Sequence, residues 1–147
     1  MSWPSLHELL PHRPPMLLLD EVVAFDGETV TCAVVIRPDA LFVEHGRVPA
    51  WVALEYCAQC VAAFAGLRAR AHGAAPALGL LVAARDLTLE TDAFASGDAL
   101  LVDARLVFGE LRVGRFECQV RRAGAVVAKA SLSVYQPEDR DVGRGQG

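Results

Sequence analysis

Hydrophobic and polar positions divide the chain into zones of different period. Residues 29–37 are rich in β-branched side chains and read as a strand. Residues 16–25 read as another, and Asp26-Gly27 between them supplies a hairpin turn. Upstream, residues 6–10 suit a short helical turn stopped by Pro11. Residues 38–48 form a loop, and from Pro49 the period changes. Residues 49–71 read as one helix, opened by a proline whose missing N–H leaves no bond unmade and closed by His72-Gly73. Residues 78–89, 100–108, 112–122 and 126–135 then read as four more strands. Their turns lie at Ser96-Gly97-Asp98, Gly109-Glu110 and Ala123-Gly124.

Two strands, a long helix and four strands make an α+β domain of antiparallel strands with a segregated helix. Between Val52 and Leu67 the only strongly polar side chains are Glu55 and Gln59. A helix apolar on every face is a buried one, so a single sheet is expected to curl around it. Glu55 is then expected to lie out of water, where a carboxyl keeps its proton rather than its charge, with Gln59 one turn above. The domain is expected to run over residues 1–136. A charged, Gly-rich tail over 137–147 is expected to be disordered.

Composition sharpens this picture in two respects. Of 147 residues, 53% are hydrophobic, more than an ordinary soluble chain carries. That excess fits an apolar helix inside the fold, and also a chain that buries further surface against a second copy. A net charge of −4 without any Lys/Arg stripe argues against nucleic acid, and no basic amphipathic face suits a membrane surface. The first residues lack a basic start followed by an apolar run, so a cytoplasmic protein is expected, with its four cysteines reduced. Cys57 and Cys60 form a C-x-x-C inside the apolar helix, with no second pair at zinc spacing. They read as core thiols and no metal site is expected.

The candidate chemistry gathers at the helix start. His45, ten residues before Glu55, can exchange a proton near neutral pH. A buried Glu55 can act as an acid. Between them the free N–H groups of Ala50, Trp51 and Val52 carry partial positive charge and can hold an oxyanion. Base, acid and oxyanion site suit proton abstraction beside a carbonyl, and the set makes sense as a dehydration. Removing the α-proton of a thioester builds charge on its oxygen, and expelling a β-hydroxyl needs a proton. An acyl thioesterase, using the helix carboxylate on water or thioester, is a second reading. A non-catalytic subunit that completes a paralogue's site is a third. His12 and Arg13 read as structural residues that fix the first strand and could line the acyl channel, His7 and His72 as surface residues, and Trp51 and Tyr56 as packing or interface residues that could touch the acyl chain.

Three motifs then resemble one family. Residues 10–20, LPHRPPMLLLD, are similar to the Pro-His-Arg-x-Pro opening of hotdog-fold β-hydroxyacyl-[acyl-carrier-protein] dehydratases. VPAWVALEYCAQ resembles their central-helix motif, and Ser96-Gly97-Asp98 their Pro-Gly-Asp turn. The resemblance implies a hotdog fold, an antiparallel sheet wrapped around one long helix. It implies His45 and Glu55 as the catalytic pair, one from each protomer across a dimer interface. It further implies that the Ala50 backbone N–H binds the thioester oxygen and that Gln59 orients Glu55. The substrate would bring its own phosphopantetheine arm on an acyl carrier protein, so no bound cofactor is expected. The partners implied are that carrier, a small acyl thioester and a second subunit, identical or paralogous. Only Gly46-Arg47-Val48 joins His45 to Pro49, a shortening that resembles the dehydratases of aryl-polyene-type pathways.

Overall fold

The computed structural model describes residues 3–73, 81–110 and 113–135. Among these residues eight strands, β1 (Glu21–Phe25), β2 (Thr29–Val35), β3 (Arg47–Pro49), β4 (Leu81–Leu89), β5 (Ala93–Ala95), β6 (Ala99–Glu110), β7 (Val113–Arg122) and β8 (Ala125–Tyr135), accompany two α-helices. These are α1 (Leu6–Leu9) and α2 (Ala53–Ala71), the latter entered through a 3-10 turn at Ala50–Val52. Six strands form one antiparallel sheet in the order β1-β2-β6-β7-β8-β4. They are the six strands expected from the period. The tail expected over 137–147 lies outside the described residues.

The sheet wraps α2 because its strands alternate. Val30, Cys32 and Val34 of β2, and Phe116, Cys118 and Val120 of β7, turn one face inward while their neighbours face out. Opposite them α2 buries Cys60, Val61, Ala63, Phe64 and Leu67. The Phe64 ring sits edge-on between Phe25 and Phe116, with centroids 5.5 and 5.0 Å away. By length and composition residues 50–71 could cross a membrane, but 67% of their most apolar window is buried inside the fold. Their hydrophobicity is that of a core helix.

Four expectations need correction. The first strand starts at Glu21, not at residue 16, because Met16 and Leu18 give their backbone groups to a side chain of α2 rather than to a ladder. The long helix begins with a 3-10 turn, and Pro49 closes β3 instead of opening the helix. Strands β3 and β5 pair as a small second sheet, too short for any period to announce them. Nor is α2 covered on every side. Leu54, Glu55, Ala58, Ala62 and Ala65 form a stripe that stays half-buried, since among the described residues no element covers it.

Candidate active site

Gln59 is wholly buried, with 0% exposure, yet all of its polar atoms are used. Its Oε1 accepts from the Leu18 N–H at 2.9 Å, and its Nε2 donates to the Met16 carbonyl at 2.8 Å and to Glu55 Oε1 at 2.9 Å. A polar group this deep is tolerated because each hydrogen bond is made. Spacing of four along α2 puts Gln59 and Glu55 on one face, so the amide reaches the carboxyl without strain. The Glu55 side chain itself keeps 39% exposure. The expected burial is therefore not found among the described residues: Ala53 and Tyr56 turn inward, while Leu54 and Glu55 stand on the half-buried stripe.

Among the described residues, the imidazole beside Glu55 belongs to His12, a residue the sequence alone assigns to structure. His12 Nε2 lies 3.9 Å from Glu55 Oε1, with the His12 side chain 30% exposed. The other ring nitrogen, Nδ1, is buried without a hydrogen-bond partner. Arg13 fastens the segment, donating from Nη1 to the Leu10 carbonyl at 2.9 Å and to the His12 carbonyl at 2.8 Å. Nothing in the spacing of residues 12 and 55 signals that they meet; the Pro-His-Arg motif was the available clue.

His45 occupies the tip of a tight turn. Glu44 and Arg47 exchange two backbone hydrogen bonds, 2.8 and 3.1 Å long, across His45 and Gly46. Both tip residues have positive φ, 56° and 75°. Two such residues define a type I′ hairpin turn, and histidine is among the side chains that accept this conformation most readily. The Gly46 carbonyl accepts from the Ser96 N–H at 2.8 Å, tying the tip to the Ser96-Gly97-Asp98 turn. His45 is exposed there. Among the described residues, the side-chain partners of Glu55 are Gln59 and His12, not His45.

The Ala50 amide, expected to await an oxyanion, donates instead to the Asp92 carbonyl at 3.0 Å. That bond joins the 3-10 turn to the strand pair β3–β5 and removes Ala50 from the set of available donors. Beside the turn, Trp51 (56% exposed) and Phe42 (38% exposed) stack edge-on, with ring centroids 5.8 Å apart. Tyr56 is buried against Phe94, and burial pushes its phenol up to about 12. All four cysteines are buried free thiols, and burial raises Cys60 well above the ordinary range. Among the described residues, no group of three or more His, Cys, Asp or Glu side chains could hold a metal ion.

Comparison with known proteins adds the family to this geometry. The dehydratase heterocomplex ApeI:P from Xenorhabdus doucetiae is similar in structure, with a TM-score of 0.88 at 24% identity over 97% of each chain. A hypothetical thioesterase protein with coenzyme A from Streptococcus pneumoniae TIGR4 gives a TM-score of 0.58 at 13% identity, over 80% of this chain and 84% of that one. The PaaI protein of the E. coli phenylacetic acid degradation operon gives 0.55 at 12% identity, over 78% and 80%. At such identities the likeness shows the fold, which is the hotdog fold. None of the curated proteins compared with the chain matches it. The family model described as ApeP-like, ApeP dehydratase, matches residues 4–143, and with nearly the whole chain so accounted for, the protein belongs to the ApeP-like dehydratase family.

Proposed function

We propose that this dehydratase eliminates water from a β-hydroxyacyl thioester carried on the phosphopantetheine arm of an acyl carrier protein. The product is the trans-2-enoyl thioester, in fatty-acid or aryl-polyene-type biosynthesis in the cytoplasm. The observation that carries this reading is Glu55, a carboxyl anchored by a buried amide yet open to an incoming substrate. An acid that is both fixed and reachable is what expulsion of a hydroxyl requires.

In this reading His45 takes the α-proton and the C–H electron pair becomes the new double bond. Charge gathers transiently on the thioester oxygen. Glu55 hands its proton to the β-hydroxyl, whose C–O bond breaks with its electrons to release water. With Ala50 engaged by Asp92, the Trp51 amide is next in the turn to receive the thioester oxygen. Exposed Arg47 and Arg68 suit an acidic carrier protein, whereas Arg37 is already paired with Asp20 at 2.8 Å.

Glu55 has no contact with His45 in its own chain, so a second subunit supplies the missing histidine. The half-covered stripe on α2 and the exposed edge strand β4 offer surface for it. A homodimer is the simpler assembly. The similar structure from Xenorhabdus doucetiae is a heterocomplex, which favours a paralogue as the second reading. The test is turnover of a carrier-bound β-hydroxyacyl substrate by the chain alone and with its paralogue. Glu55→Gln should keep fold and assembly and lose about a hundredfold or more in elimination. Full activity in that variant refutes the assignment, and release of a free acid identifies a thioesterase instead.

A further inference from the structure

Two nitrogen groups converge on a single oxygen of Glu55. Gln59 Nε2 donates to Oε1 at 2.9 Å, and His12 Nε2 faces the same atom at 3.9 Å. We infer that His12 is a positioning residue for the acid, a group whose hydrogen bond to Glu55 Oε1 forms as Glu55 gives up its proton. The inference rests on the dehydration reading above and assigns a part in it to a residue outside the pair His45 and Glu55.

The tautomer follows from burial. His12 Nδ1 is enclosed without an acceptor, and a buried N–H left unpaired there would be destabilising. In the neutral ring the proton therefore sits on Nε2, the nitrogen that faces Glu55. With Gln59 and His12 both facing Oε1, Oε2 is the oxygen left to pass a proton to substrate. The two oxygens of Glu55 are thereby given different tasks before any substrate arrives.

Distance supplies the second half of the argument. At 3.9 Å the His12 contact is too long for a hydrogen bond in the resting protein. Transfer of the Oε2 proton to the departing hydroxyl leaves a carboxylate, which attracts the Nε2–H far more strongly than the neutral acid does. An interaction that strengthens toward the transition state raises kcat and leaves substrate binding alone. The ring is placed to respond. Arg13 holds the His12 carbonyl, and Gln59 holds Met16 and Leu18 just downstream, so the segment is fastened to the same helix that carries Glu55.

The experiment compares His12→Leu, which keeps bulk without a donor, with His12→Gln, whose amide N–H can reach the position of Nε2. His12→Leu should lower kcat by about ten- to a hundredfold with KM unchanged, and His12→Gln should recover most of the loss. In a Glu55→Gln background, His12→Leu should change nothing further. Imidazole nitrogen NMR on the intact protein should show Nε2 protonated, with a signal that moves on Glu55→Gln. Should His12→Leu not fold, equal kcat in His12→Gln and His12→Phe overturns the inference. So does a His12→Leu enzyme with wild-type kcat, or a loss confined to KM. A wild-type assembly that turns over no β-hydroxyacyl thioester defeats the dehydration reading, and His12's part with it. An active wild type with an indifferent His12 defeats this inference alone.

Discussion

Gln59 Nε2 stands 2.9 Å from Glu55 Oε1, and the same side chain holds the Leu18 amide and the Met16 carbonyl. One buried carboxamide thus sets both the conformation of the N-terminal segment and the direction of the candidate acid. Gln59→Leu preserves volume but leaves the Leu18 N–H without its acceptor. A loss of roughly 1–3 kcal/mol in urea denaturation is the expected result. A change below about 0.5 kcal/mol, the range of an indifferent surface substitution, would show that the amide is not a structural hub.

Gly66 is where α1 rests on α2. A Cβ built on it would lie 2.7 Å from the Leu9 carbonyl oxygen and 3.1 Å from Leu9 Cβ. In an exposed helix Gly→Ala stabilises by up to about 1 kcal/mol. Here the backbone of Leu9 has to move, and overpacking of this kind costs about 1–3 kcal/mol. Gly66→Ala should therefore lower the melting temperature rather than raise it. A higher melting temperature would mean that α1 is free to shift.

Asp103 anchors the outer face of the sheet. It accepts two bonds from Arg121 (2.7 and 2.9 Å), one from Thr31 Oγ1 (2.6 Å) and one from Gln119 Nε2 (2.8 Å). Burial pushes its carboxyl up, but the hydrogen bonds from Arg121, Thr31 and Gln119 outweigh burial and hold it below its ordinary value. A carboxyl lowered by folding stabilises the protein fully above its unfolded value of about 3.9, and the contribution disappears as pH falls through the folded value. Asp103→Asn should be about 1–3 kcal/mol less stable at pH 7. The gap to wild type should narrow below about pH 4, as measured by denaturation at both pH values. A gap that stays constant would remove the charge from the explanation.

Much of this was legible in the residues because it depends on local periodicity. The alternation in β2 and β7 and the apolar run of α2 specify six strands and a core helix whatever surrounds them. Glu55 and Gln59 stood out because a polar residue in an apolar helix needs a reason. Strands β3 and β5 are three residues each, too short to carry a pattern. The stretch before β1 looks like a strand by composition, yet its backbone bonds go to Gln59, a partner 41 residues away from Leu18.

The chain's own pattern determined the element order, the central helix and the two polar residues on it, since side-chain period and helix composition are properties of consecutive residues. Tertiary structure alone decided which groups meet. Asp92 captures the Ala50 amide, His12 rather than His45 comes to Glu55, and the Glu55 face of α2 stays half-buried. Each depends on closing a loop of some 40 residues or on what lies across a helix face. No stretch of neighbouring residues encodes either, because both follow from packing the whole chain at once.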